Sequence, residues 1–347
     1  MNIPVVSIGQ GVSQAVNQGS ERMATARSAH PMTELKDRLR CLLHVIPPGS
    51  DIWYVDYPVH GNGGDLLIMK GTEAFFKEHR IRVRARYSVF DFPDGASIPR
   101  HCIIVLHGGG NFGDLYPVHQ TLREKIVANY PHNRVVVLPQ TVFYRDMREL
   151  ERTADVFNRH PDVHLYVRDH VSLEMVRDKF RSCSVYLCPD MAHQLWPIRS
   201  RLTPDKEWLC FLRTDIEKGT GQEQLEAFDP GDCLDWPQLY TRTEQRLIRL
   251  FSRMLRKGIG ERLPVSRAWS AYTDYLVWKA VRRFARYRRV QTSRLHGHIL
   301  ACLMDKPNVL IDNVYGKNAN YYHTWTQAIA SAQLLEKAAN RQNGGIL

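Results

Sequence analysis

The sequence predicts an α/β protein of two domains, each a parallel sheet with helices on its faces. Three observations lead there. The chain has 347 residues, more than the ~100–200 of one ordinary domain. Short apolar β-type runs alternate with helical stretches twice over, as strands buried on both faces of a parallel sheet do. Between the two alternations, Pro197 to Pro204 reads as a linker. Two such units facing each other form a cleft at the carboxyl ends of their strands, where ligands bind in this architecture.

In chain order, residues 1–45 read as an N-terminal extension. It is polar and partly flexible to residue 31, then a short amphipathic helix over 34–44. The first domain, 46–200, has strands at Ile52–Val55, Val83–Tyr87, Cys102–Leu106, Val135–Leu138, His164–Val167 and Val185–Cys188. Helices fall at Leu66–Glu78, Leu122–Asn129, Glu149–Asn158 and Ser172–Phe180. The second domain, 201–331, has strands at Trp208–Leu212, near Val290 and at Asn308–Ile311. Its helices are Arg242–Lys257, Ser270–Arg288, Arg294–Met304 and a last one from about Tyr321. Residues 332–347 read as a frayed tail.

The composition narrows the function. Lysine and arginine number 47 against 36 acidic residues, a net charge of +11, which favours anionic partners. Seven cysteines, odd in number and without a CxxC pair, read as reduced thiols of a cytosolic protein. The N-terminus lacks the charged-then-apolar pattern of a signal peptide, and no apolar run approaches ~20 residues. At a membrane, the protein is expected to sit on the surface.

Two glycine-rich turns follow strands. In His107-Gly108-Gly109-Gly110-Asn111-Phe112-Gly113-Asp114, glycines allow close backbone approach and helix-start N–H groups hold phosphate or carboxylate; Gly110, Asn111 and Asp114 are the candidates. A dinucleotide site also wants an acid at the end of the next strand, which here ends Leu138-Pro139-Gln140; NAD is not expected. HGGG resembles an esterase oxyanion segment, but the chain has no GxSxG elbow. Gly61-Asn62-Gly63-Gly64-Asp65 is a similar turn, with Asn62 at the rim and Asp65 read as the helix N-cap.

The strongest candidate cluster is Thr292-Ser293-Arg294-Leu295-His296-Gly297-His298. Ser293 reads as the N-cap, with Arg294 and His296 in the first turn, where the helix dipole disfavours cations. A protein accepts that cost most readily where an anion binds. Arg294 can grip a carboxylate or phosphate with two parallel bonds, and His296 can move a proton near neutral pH. Arg168, Arg213 and Lys317 stand at other strand ends, and His119 near the start of the helix after the glycine turn. A strand-end arginine beside an aspartate is often only a surface ion pair, so the common edge carries the case. His296 and His298 diverge on a helix, and no metal site is expected. Arg246, Arg249, Arg253 and Arg256 share one helix face, with Leu247, Leu250, Phe251 and Met254 on the other and Trp269, Tyr272, Tyr275 and Trp278 downstream. That pattern fits either an anionic lipid surface or a solvated helix with its apolar face in the core.

The segments HGGGNFGDLYPVHQTLRE, VVVLPQT, VRDHVSLEMV, CPDMAH, FLRTDIE and TSRLHGHILACLMDKPNVLIDNVYGK resemble, in that order, the polysaccharide pyruvyl transferases. The resemblance covers about residues 52–325. It implies two facing Rossmann-like domains of GT-B type with the active site between them. It further implies phosphoenolpyruvate as donor substrate, no cofactor, and a pyruvate ketal on a saccharide acceptor, possibly carried on a lipid diphosphate. Arg168 and Arg294 match positions associated with the donor, His296 the proposed catalytic histidine, and His119 and Lys317 supporting positions. Leu295, Gly110 and Asn111 join the donor set; Asn62, Asp65, Asp114, Asp190 (in CPDMAH), Arg213 and Asn313 (in DNVYGK) are acceptor-contacting or structural candidates. The alternatives are a glycosyltransferase of the same fold using a nucleotide sugar, and a non-catalytic binder of nucleic acid or acidic glycan. The second leaves the strand-end His/Arg set unexplained, so no nucleic acid is expected.

Overall fold

The computed structural model describes residues 29–214, 229–313 and 316–335. The expectations for residues 1–28, for Asp215 and Glu217 after Arg213, for 314–315 and for the tail beyond 335 lie outside them. Two parallel sheets carry the chain. The first contains β1 (Asp51–Val55), β2 (Arg82–Tyr87), β3 (Ile103–Leu106), β4 (Gly109–Gly113), β5 (Val135–Phe143), β6 (Val163–Val167) and β7 (Ser184–Leu187), in the order β2-β1-β3-β5-β6-β7 with β4 also paired to β5. Its helices are α1 (Pro31–Arg38), α2 (Gly63–Glu78), α3 (Pro117–Asn129), α4 (Met147–Asn158) and α5 (His170–Arg177). The second sheet contains β8 (Lys206–Phe211), β9 (Cys233–Leu234), β10 (Tyr287–Thr292), β11 (Asn308–Ile311) and β12 (Ala332–Leu335), in the order β12-β11-β10-β8-β9. With it go α6 (Trp236–Leu239), α7 (Arg242–Arg256), α8 (Val265–Ala285), α9 (Leu295–Leu303) and α10 (Lys317–Tyr321).

Alternate residues of the first sheet's central strands enter two different cores, the expected outcome for strands covered on both faces. Ile104, Leu106, Val135 and Val137 face a cluster with Ile126, Phe157 and Phe180. Val105, Val136 and Leu138 face the other way, into a larger cluster that takes in Leu66, Phe75 and Phe76 of α2. That larger cluster continues without a break into the second sheet's Leu209 and Phe211, Trp269 and Phe284 of α8, and Ile299 of α9. Helix α2 packs on both α8 and α9. Polar ties reinforce the junction: Trp269 Nε1 donates to Pro58 O at 2.8 Å, and Ser252 Oγ to Val59 O at 2.6 Å.

Several boundaries differ from expectation, each for a local reason. Residues 31–45 belong to the core rather than to an extension, since Met32, Leu35, Leu39 and Leu42 are buried in the larger cluster. Residue 332 opens a strand, not a tail: β12 adds in parallel to the edge of β11. Asn62, not Asp65, caps α2, its side chain accepting from Gly64 N at 3.1 Å. Arg294, not Ser293, is the N-cap residue of α9, because Thr292 Oγ1 takes the Arg294 N–H at 3.0 Å and keeps that residue extended. The last helix starts at Lys317 and runs into a π-turn over Tyr322–Thr326. On α7 the buried positions are Glu244, Ile248 and Leu255, whereas Leu247 and Leu250 face outward. Glu244 is drawn inward by Tyr275 Oη at 2.6 Å and by Lys279, while Phe251 and Met254 pack partly buried against the core.

Candidate active site

A cavity of about 330 Å³ opens where strands of both sheets end. Its cationic wall comes from four separate segments. Arg168 follows β6, Arg213 follows β8, Arg294 sits between β10 and α9, and Lys317 starts α10. His296 and Leu295 project from the first turn of α9, and His119 from the start of α3. Gly110 and Asn111 of β4, with Asn62 and Asp65 at the start of α2, complete the sequence-derived residues at this cavity. Among the described lining residues Asp65 is the one carboxylate beside those four cations.

The N-termini of α2 and α9 add positive potential to the same space, since their first N–H groups have no intrahelical acceptors. These ends lie so close that a Cβ on Gly64 would come 2.8 Å from His296 Nδ1. Only glycine allows that approach. Gly110 has the same function on the opposite wall, where a side chain would collide with Lys317 and crowd Arg168 Nη2 at 3.0 Å.

Behind the wall, carboxylates fix the cations in place. Asp190 is fully buried and pairs at once with Arg168 and, at 3.2 Å, with His296 Nε2. Burial works to raise its carboxyl, but the charge and hydrogen bond of His296 and the charge of Arg168 outweigh this and hold it well below the usual range. Arg168 Nε also donates to Thr141 Oγ1 at 2.9 Å. Asp190 thus lies one layer beneath the cavity, a structural position rather than an acceptor contact. Asp235 plays the matching part for Arg294, taking Nε at 2.7 Å and Nη2 at 2.6 Å in a two-pronged pair. Its carboxyl is also held down: burial opposes ionisation, and the Arg294 bond overcomes it.

A second histidine–carboxylate pair faces the cavity. His119 Nδ1 lies 2.6 Å from Asp56 Oδ1, and Arg123 Nη2 donates to the other oxygen at 2.9 Å. Asp56 has a left-handed backbone, φ 65°, and is buried. The Arg123 guanidinium reaches on to Asn111 Oδ1 at 2.5 Å, and Gln140 donates to the same oxygen at 3.2 Å and to His107 O at 2.8 Å. Gln140 stands where a dinucleotide fold would place a ribose acid; here it braces the glycine-rich turn instead.

Asp114 and Asn313 are not among the lining residues. Asp114 accepts the N–H groups of Arg145 and Asp146 at 2.7 and 2.9 Å, anchoring the turn into α4. Asn313 Oδ1 takes the Lys317 N–H at 2.8 Å and so orients the start of α10. The sequence reading missed His60, Tyr116, Trp236 and Asn318, which also line the cavity. Asp56 and Asp235 were missed because each sits dozens of residues from its partner. His60, Tyr116, Trp236 and Asn318 all lie at or just before helix starts, and that placement was the signal available. Among the described residues no group of three or more His, Cys, Asp or Glu side chains is placed to hold a metal ion. No described helix is long and apolar enough to cross a membrane.

Residues 62–313 match the family model for polysaccharide pyruvyl transferase. A Bacillus subtilis protein that carries the name pyruvyl transferase EpsO is 46% identical over 319 residues, 91% of this chain and 98% of the relative. Pyruvyl transferase 1 of Schizosaccharomyces pombe is 30% identical over 287 residues, 78% of this chain and 68% of its own. A crystal structure of a Klebsiella pneumoniae protein of uncharacterised function has the same overall fold, with a TM-score of 0.55 at 19% identity, covering 87% of this chain and 99% of that one.

Proposed function

Because the chain belongs to the polysaccharide pyruvyl transferase family, we propose that it moves pyruvate from phosphoenolpyruvate onto a sugar of an exopolysaccharide or cell-surface glycan, closing a ketal across two hydroxyls. The two sheets are read as facing Rossmann-like units of GT-B type. The observation that carries the donor assignment is the convergence of Arg168, Arg294, Lys317 and His296 on one cavity from three segments of chain. A small enol bearing both phosphate and carboxylate needs several fixed cations at once, and about 330 Å³ lies in the ~300–1,000 Å³ range of small-molecule sites.

In this reading Arg168 and Arg294, pre-set by Asp190 and Asp235, hold the donor's two anionic groups, with Lys317 assisting. His296 gives a proton to the methylene carbon, which becomes a methyl group and leaves C2 oxocarbenium-like. Asp190 orients the ring through its contact with Nε2 at 3.2 Å. A sugar hydroxyl adds to C2 and gives up its proton, for which His119, backed by Asp56, is the acceptor. The bond from C2 to the phosphate oxygen breaks, inorganic phosphate leaves with the second hydroxyl's proton, and that hydroxyl's oxygen closes the ring. The net change is one phosphoenolpyruvate and one diol to one ketal and one phosphate.

The test is phosphate release from phosphoenolpyruvate with a panel of saccharides, run beside nucleotide sugars. Saccharide-dependent phosphate release with pyruvate retained on the sugar supports the reading. Turnover of a nucleotide sugar and none of phosphoenolpyruvate overturns it.

A further inference from the structure

Helix α7 is bare on its outer side. At 100° per residue, Arg242, Arg246, Arg249, Arg253 and Arg256 fall within an arc of roughly 80°. Beside that arc lies a second, holding Leu247 and Leu250, while Met254 on the same side packs partly buried against the core. Leu247 and Leu250 are 39% and 47% exposed, although nothing about their chemistry favours solvent. The apolar strip continues onto α8. Phe251 stacks on Tyr272 at 5.7 Å between ring centroids, Tyr272 on Tyr275 at 5.9 Å, and Tyr275 on Trp278 at 5.9 Å. This ladder climbs outward from the core: Tyr275 is 42% and Trp278 51% exposed at its end. Arg282 lies over the Trp278 ring at 5.3 Å. Leucines, a tyrosine and a tryptophan set among arginines on a solvent face match the interface between anionic headgroups and acyl chains, where aromatic rings sit at headgroup level and arginines meet phosphate.

The inner flank of the same helix leads to the active site. A groove of about 460 Å³ runs between Gln245, Ile248 and Arg249 of α7 and the apolar wall of Trp236, Pro237 and Tyr240. His60, Asn62, Trp236 and Arg294 line both this groove and the cationic cavity. One helix therefore shows an amphipathic outer face to solvent and a path to the reacting centre on its flank.

We propose that the outer face of α7 and α8 docks on an anionic lipid bilayer, and that the groove along α7 brings a lipid-carried saccharide from that surface into the cleft. The proposal rests on the pyruvyl-transfer reading for the identity of the acceptor, but the docking surface itself does not. The arginine ridge sets the polarity of the partner, and the leucine and aromatic strip sets its depth. A soluble polyanion would use the ridge and leave the strip exposed.

The experiment is flotation of the full chain with vesicles of equal parts phosphatidylcholine and phosphatidylglycerol, and with phosphatidylcholine alone. Binding is expected to the mixed vesicles at low salt and to weaken as salt screens the headgroups. The variant L247S/L250S/W278S, altered outside both the cavity and the groove, should lose about tenfold or more of the partitioning. R246Q and R253Q should each lose about fivefold, the equivalent of about 1 kcal/mol per basic residue near an anionic surface. All three proteins should keep wild-type circular dichroism and phosphate release with a soluble saccharide. Absence of binding to the mixed vesicles at low salt overturns the proposal, as does equal binding by the triple variant. So does a wild-type dimer that the triple variant dissolves, which assigns the face to a second copy of the chain. Vesicle binding without phosphoenolpyruvate turnover leaves the docking face standing and removes only the donor reading; turnover without vesicle binding does the reverse.

Discussion

Replacing Arg294 by alanine perturbs two properties at once, and the structure allows them to be separated. The guanidinium holds Asp235 by bonds of 2.7 and 2.6 Å, and the Asp235 side chain is 0% exposed. Removing one member of a buried pair costs about 3–5 kcal/mol, because the remaining charge is left uncompensated. Asp235 keeps the N–H groups of Thr214 and Trp236 at 3.0 and 2.7 Å and the Thr214 hydroxyl at 2.9 Å. Those bonds place the expected loss near the lower end, about 3 kcal/mol. Donor affinity should fall independently, by roughly 10- to 150-fold, if Arg294 makes one charge-assisted contact of about 1.5–3 kcal/mol. Asp235→Asn in the Arg294→Ala background removes the stranded charge, so most of the lost stability should return while donor affinity stays low. Urea midpoints and calorimetric titration with phosphoenolpyruvate on the four proteins of this cycle give both numbers. If affinity recovers together with stability in the double variant, Arg294 serves to hold the Asp235 corner and does not touch the donor.

Three further outcomes are expected. His296→Ala should bind phosphoenolpyruvate normally in calorimetry yet lose roughly 10²–10⁴-fold in kcat; near-wild-type kcat would remove His296 from the chemistry. Gly64→Ala places a methyl group 2.8 Å from His296 Nδ1 and 3.0 Å from its Cβ, so the ring must move. A fall in kcat of about 10²-fold with little change in donor affinity is expected, and unaltered kcat would show that the ring's position is immaterial. Burial pushes His107, His193 and His298 down to about 4, whereas the unfolded chain takes up these protons near 6.5. The unfolded state therefore binds more protons between those values, and stability should drop as pH falls from about 6.5 to 4, by on the order of 3 kcal/mol per histidine. Urea midpoints that stay flat across that window would contradict it.

Strand-end chemistry was legible because it is local. Arg168, Arg213 and Lys317 each follow an apolar strand and Arg294 the short strand around Val290, and parallel strands deliver such positions to one edge whatever the loops do. The counter-charges were not legible. Asp235 meets Arg294 and Asp56 meets Arg123 across separations of 59 and 67 residues, and no periodicity links residues that far apart. Asp190 was found through its neighbours in CPDMAH, but its place beneath the cavity depends on packing against Tyr321, whose hydroxyl accepts the Asp190 N–H at 3.1 Å. Helix α7 shows a choice that its pattern left open. Its apolar residues fit either a core face or a surface, and with Glu244 paired to Tyr275 and Lys279 on α8 the helix packs Phe251 and Met254 against the core and leaves Leu247 and Leu250 exposed. Helix starts slipped by one to three residues where a competing hydroxyl or amide took the first N–H, as Thr292 and Asn62 did.

The continuity of the larger hydrophobic cluster through α2 bears on how the chain comes apart. Because α2 shares one apolar cluster with the first sheet and with α8 and α9 of the second unit, stripping either unit away would bare the other's lining. Neither half is then a free-standing module to be expressed, swapped or fused. Heat or urea should melt the molecule in a single cooperative step, and an anion seated at the tip of α2 would shield the far edges of both sheets from proteolysis as effectively as the rim it touches.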